Sequence, residues 1–172
     1  MIQKLTGSFF IMMGVWGLIW KKRSQMLKKA KKNQEVIEIL QHLSSTFETE
    51  YIPIMNFLDR ILERNLLTHE LWDTLRKRLG AYLDKTGEDA WNKALGEYKD
   101  ELFLHEEQWS SLEHAAGGMF GDKRIENIQI LKKDAELLQK YHDKFILEQK
   151  EKYKIYMPVG ILGAFMVILL LV

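Results

Sequence analysis

The chain has 172 residues, enough for one ordinary domain, and no cysteine. That excludes a disulfide framework, a thiolate zinc site and a cysteine nucleophile. Its 25 basic and 24 acidic side chains leave a net charge of +1, without the basic excess that a general nucleic-acid binder needs. The mean hydropathy of −0.23 conceals a segregation, with uncharged apolar stretches toward both ends and a highly charged middle.

Residues 5–20, LTGSFFIMMGVWGLIW, carry no charge. As a helix they span roughly 24 Å, close to the 30 Å of a bilayer core once the preceding residues and a snorkelling Lys4 are added. Lys21, Lys22 and Arg23 follow at once. A secretory signal would place positive charge before the apolar run and a small-residue cleavage site after it. The order here is the reverse, so residues 1–20 are read as an uncleaved transmembrane helix. Of the basic residues from Lys21 to Lys32, only Lys21, Lys22 and Arg23 lie close enough to feel the lipid fully, because surface fields decay within about 8–10 Å.

The middle, residues 21–155, reads as helical throughout, and no stretch alternates with the period of a strand. Val36, Ile37, Leu40, Leu43 and Phe47 predict a long helix from residue 21 to about 51. Pro53 separates it from a short helix carrying Ile54, Leu58, Ile61 and Leu62. Thr68 is placed to cap a third helix with Leu71, Trp72, Leu75, Leu79 and Leu83. Thr86 with Asp89 resembles a capping box for a fourth, bearing Ala90, Trp91, Ala94, Leu95 and Tyr98. A fifth, from near His105 through Trp109, Leu112 and Ala116, is expected to stop at the glycines 117, 118 and 121, with glycine supplying positive φ in a turn. Asp122 is placed to cap the last helix, whose stripe of Ile128, Leu131, Ala135, Leu138, His142 and Phe145 meets no breaker before Pro158.

Residues 155–172, IYMPVGILGAFMVILLLV, are again uncharged, and residues 156–172 are read as a second transmembrane helix. Lys150, Lys152 and Lys154 precede it. Both apolar segments therefore have their basic flank on the side of the middle, which marks that side as cytoplasmic. Trp16, Trp20, Tyr153 and Tyr156, with Lys21, Lys22 and Arg23, occupy the positions of interfacial anchors. The expected fold is all-α: a cytosolic antiparallel helical bundle between an N-terminal and a C-terminal transmembrane helix. Gly14 and Gly163 offer close approach of the two spans.

The five histidines contain no i,i+4 pair of the kind a helical metal site uses. The run Gly117-Gly118-Met119-Phe120-Gly121-Asp122-Lys123 lacks the spacing of a phosphate loop, and no strand precedes it. Trp72, Trp91 and Trp109 fall on apolar helix faces and read as packing residues. The residues thus nominate no catalytic site, no metal and no cofactor. A non-enzymatic protein that binds other proteins is the expectation.

The order of features resembles the stage III sporulation protein AB family of endospore-forming bacteria. It runs from an N-terminal anchor and basic helix to Glu48-Thr49-Glu50, then to Ala90, Trp91, Ala94 and Leu95. The glycine run ending in Phe120-Gly121 follows, and a long helix leads to a terminal span with Gly160 and Gly163. That family is similar to the cytosolic domain of the type II secretion platform protein F. The resemblance implies a component of the channel complex between mother cell and forespore, in the mother-cell membrane around the forespore. Implied partners are a secretion-type ATPase and other membrane components of that complex. Nucleic acid is not among them, and a homo-oligomer is compatible. Asp122, Lys123, Arg124 and Glu126 are the candidate partner interface. The alternative is an inner-membrane platform of a secretion or pilus-assembly system unrelated to sporulation.

Overall fold

The structure is a computed structural model. It describes residues 2–50, 52–102 and 104–171; within these, the side chains of 2–12, 15, 18, 156, 157, 161, 164, 165 and 167–171 lie outside the description. The chain divides into two compact units, Met1–Lys28 with Asp143–Val172, and Lys29–His142. Among the described residues the α-helices are, in order, α1 (Ile2–Thr49), α2 (Ile54–Leu62), α3 (His69–Gly80), α4 (Gly87–Glu97), α5 (Glu106–Phe120) and α6 (Arg124–Leu171). A 3-10 turn, Lys99–Glu101, lies between α4 and α5. The described residues contain no strand, as the sequence predicts.

In the Lys29–His142 unit, α1 and α6 run antiparallel. Gln34 donates to Gln139 at 3.2 Å, Ser44 donates to the Ile128 carbonyl at 3.4 Å, and Arg124 reaches the carbonyls of Phe47 and Glu48. Rising residue numbers on one helix thus meet falling numbers on the other. The apolar stripes read from the sequence supply the core: Val36, Ile37, Leu40 and Leu43 from α1, with Leu131, Ala135 and Leu138 from α6. The shorter helices add Leu58, Ile61, Leu71, Leu75, Leu95 and Leu112.

Among the described residues Trp72 and Trp91 are the largest fully buried side chains, their ring centroids 5.4 Å apart. Each ring buries on the order of 200 Å², roughly 5 kcal/mol of transfer free energy at about 25 cal/mol/Å². Neither indole N–H is left unpaired. Trp91 donates to the Leu112 carbonyl at 2.7 Å and Trp72 donates to the Thr68 hydroxyl at 3.1 Å. Trp109 is half-buried against the core, with the Lys99 ammonium 5.4 Å from its ring centroid.

Several expectations require correction. Thr68 does precede α3, but its hydroxyl makes no cap bond to the helix; it donates to Glu35 and accepts from Trp72. Leu83 lies outside α3 and is 64% exposed, because α3 ends at Gly80. The glycine run is not a turn. Gly117 and Gly118 lie inside α5, and no described glycine has positive φ. A Cβ on Gly118 would stand 2.7 Å from Leu131 Cγ and 2.9 Å from the Asn127 carbonyl oxygen. The glycine is therefore required by close approach of α5 to α6 rather than by backbone conformation. Asp122 does not cap α6: the first helical bond runs from the Asn127 N–H to the Lys123 carbonyl, one position later. By contrast, the Thr86 hydroxyl accepts from the Asp89 N–H at 3.1 Å, as the capping pattern indicates.

Among the described residues, no helix is long and apolar enough to cross a membrane. Most side chains of the two expected spans, residues 1–20 and 156–172, lie outside the description.

Candidate functional site

The expected partner interface occupies the entry to α6. Asp122, Lys123, Arg124 and Glu126 are all exposed, and Lys123 pairs with Glu126 at 2.9 Å across three residues. Arg124 has a different task. Its Nε donates to the Phe47 carbonyl at 2.8 Å and its terminal nitrogen to the Glu48 carbonyl at 3.1 Å. These carbonyls belong to the last turn of α1, where no further helical N–H is available to them. A cation there also answers the negative end of the helix dipole. Arg124 thus closes α1, while Lys132 binds the Glu48 carboxylate on the same end.

Sequence reasoning missed a member of this surface. Ile125 is 73% exposed, flanked by the charged side chains of Arg124 and Glu126. The signal was present in its position: it falls outside the stripe of residues 128, 131, 135 and 138 that faces the core. The start of α6 therefore presents an exposed apolar side chain among charges of both signs.

The second group of expected residues lies in the other unit. Trp16 and Trp20 are exposed, as are Lys21, Lys22 and Arg23. The Arg23 guanidinium stands 4.9 Å from the centroid of the half-buried Tyr153 ring, a cation–π contact that joins α1 to α6. The side chain of Tyr156 lies outside the described residues. A Cβ on Gly160 would come within 4.0 Å of Ile19, an ordinary contact, and Gly14 and Gly163 have no described neighbour within that distance.

Ion pairs link elements of the Lys29–His142 unit, among them two with shifted carboxylates. Asp84 accepts from Lys93 and Arg78, and Arg78 also pairs with Glu97. The Lys93 ammonium, with Arg78 beside it, holds the Asp84 carboxyl below its ordinary range although its side chain is buried. Lys32 pairs with Glu101 at 2.7 Å and holds that carboxyl low in the same way. Among the described residues no group of His, Cys, Asp and Glu is arranged to hold a metal ion.

These features define an all-α protein whose Lys29–His142 unit combines parts of two long helices with a cluster of shorter ones. The chain belongs to the stage III sporulation protein AB family, whose model matches residues 4–172. A solved structure titled stage III sporulation protein AB (SpoIIIAB) has the same fold, with a TM-score of 0.63 at 16% identity. The match covers 72% of this chain and 98% of that one. No curated protein matches the sequence.

Proposed function

We propose that the protein is a non-enzymatic, membrane-anchored platform component of the channel complex between mother cell and forespore, and that it engages a secretion-type ATPase. Family membership supports the sporulation setting. Two charge-free segments, each with a basic flank toward the middle of the chain, support insertion at both ends with the middle in the cytoplasm. α1 (Ile2–Thr49) and α6 (Arg124–Leu171) each include an apolar terminal segment and part of the charged middle. Movement received by the helical core unit would be carried to the membrane segments through them.

The observation that carries ATPase engagement is the surface at the start of α6, where Ile125 is exposed among Asp122, Lys123 and Glu126. Arg124 is excluded from the test because it closes α1. The experiment is co-purification of the complex from sporulating cells. The variant Asp122→Lys/Lys123→Glu/Ile125→Asp should leave the protein in the membrane fraction and lower the recovered ATPase at least tenfold. Unchanged recovery discards this surface.

A further inference from the structure

The charges of the chain are divided unequally between its two units. Met1–Lys28 with Asp143–Val172 holds nine Lys and Arg against three Asp and Glu, a net of +6. Lys29–His142 holds the remaining sixteen against twenty-one, a net of −5. The near-neutral total hides a strongly basic unit.

Within that unit the cations gather at one level. Arg23 stacks on Tyr153, so the two helices lie side by side there. The contact of Ile19 with Gly160 continues the same antiparallel pairing. Lys21, Lys22 and Arg23 on α1 therefore share a level with Lys150, Lys152 and Lys154 on α6. Each cluster extends no more than roughly 6 Å along its helix, by the rise of 1.5 Å per residue, which is inside a Debye length. All six are exposed, and among the described residues none of the five lysines forms an ion pair. Glu148 and Glu151 are the nearby acids in sequence. Directly beyond the cations the surface turns apolar: Trp16, Trp20, Val159, Leu162 and Met166 are 55–71% exposed. Two helices with bare apolar faces and a ring of unpaired cations at their edge match the boundary between acyl chains and phosphate headgroups.

We infer that the paired clusters Lys21, Lys22, Arg23 and Lys150, Lys152, Lys154 form a collar that selects anionic over zwitterionic phospholipid headgroups. The inference rests on the membrane-anchored reading above and adds the class of lipid. Neutral anchoring needs only the apolar faces and the tryptophans. The collar adds a net positive field that only a headgroup of net negative charge answers.

The test is tryptophan quenching in the full-length protein, reconstituted in phosphatidylcholine bilayers doped with brominated phosphatidylglycerol or brominated phosphatidylcholine. Trp16 and Trp20 are placed to report on the lipid at the collar, whereas Trp72 and Trp91 are buried in the core. Brominated phosphatidylglycerol should associate about fivefold more strongly for each cation that engages a headgroup, and the preference should shrink at 1 M salt. Lys150→Gln/Lys152→Gln/Lys154→Gln should lower the preference while Lys150→Arg/Lys152→Arg/Lys154→Arg keeps it. A preference that survives the glutamine variant overturns the assignment to this collar. Equal quenching by both lipids in the unsubstituted protein overturns the inference and leaves the anchor standing. No quenching by either lipid overturns the anchored reading and the inference together.

Discussion

Glu35 sits on α1, yet its carboxylate serves α3. It accepts from the backbone N–H groups of Leu67 and Thr68, at 3.0 and 2.7 Å, and from the Thr68 hydroxyl at 2.5 Å. An acid at the start of a helix satisfies donors that the helix itself leaves open. Here the acid comes from thirty-odd residues away, so Thr68 is free to receive the Trp72 indole. Tyr82 is the opposite case, a residue that costs the fold energy. Its φ is 51°, and it is 92% exposed. Its N–H donates to the Leu79 carbonyl and the next N–H, of Leu83, donates to the Arg78 carbonyl, the pattern in which the left-handed position is usually glycine. Tyr82→Gly should therefore raise stability by roughly 0.5–1 kcal/mol, the left-handed strain of an L-residue less the extra freedom of glycine in the unfolded chain. Tyr82→Ala keeps the strain and should leave the denaturation midpoint unchanged. Equal midpoints for glycine and alanine would show that the backbone there is relaxed.

At the scale of elements, the ends of helices decide more than their middles. The end of α1 is closed by side chains of α6, through Arg124 on the last carbonyls and Lys132 on Glu48. Arg124→Ala should destabilise the helical core unit by about 1–2 kcal/mol, the loss of two hydrogen bonds from a charged donor at an exposed site. Hydrogen exchange should quicken first in the last turn of α1. Protection that falls evenly across α1 would argue that Arg124 acts through general packing instead. The pairing of α4 with α5 shows the same dependence on distant chain. A Cβ on Gly87 would fall 2.2 Å from the Phe120 ring, so the first residue of α4 is small because the last residue of α5 lies over it. The position of Gly87 within the expected fourth helix was legible; the reason for its size was not.

For the whole molecule, two carboxylates tie elements together, one between consecutive helices and one across a long separation in sequence. Asp84 links the end of α3 to α4, and Glu101 links the 3-10 turn to α1. Folding favours the ionised form of both, through Lys93 for Asp84 and Lys32 for Glu101. Their stabilisation is fully present above the ordinary carboxyl values of 3.8 and 4.5 and is lost as pH falls through the lower folded values. Asp84→Asn/Glu101→Gln should thus lower stability at neutral pH and flatten the acid limb of the unfolding curve, followed by the fluorescence of Trp72 and Trp91. An acid limb of unchanged slope would assign acid sensitivity to other carboxylates.

The all-α class, the stripes of α1 and α6 and the core tryptophans could be read from spacing alone, because a helix repeats every 3.6 residues and each apolar stripe is a local property of the chain. The antiparallel course of the two long helices in the Lys29–His142 unit was also expected, from reading both terminal segments as membrane spans. Long-range approach was decided only in three dimensions. Gly117 and Gly118 read as a turn because glycine most often breaks a helix, but the nearness of Leu131 makes the absence of a side chain a packing requirement. Arg124 was placed with the candidate partner interface because the carbonyls it closes lie 76 and 77 residues away in the chain. Local periodicity fixes which residues turn inward; only the meeting of remote segments fixes what they and their polar neighbours touch.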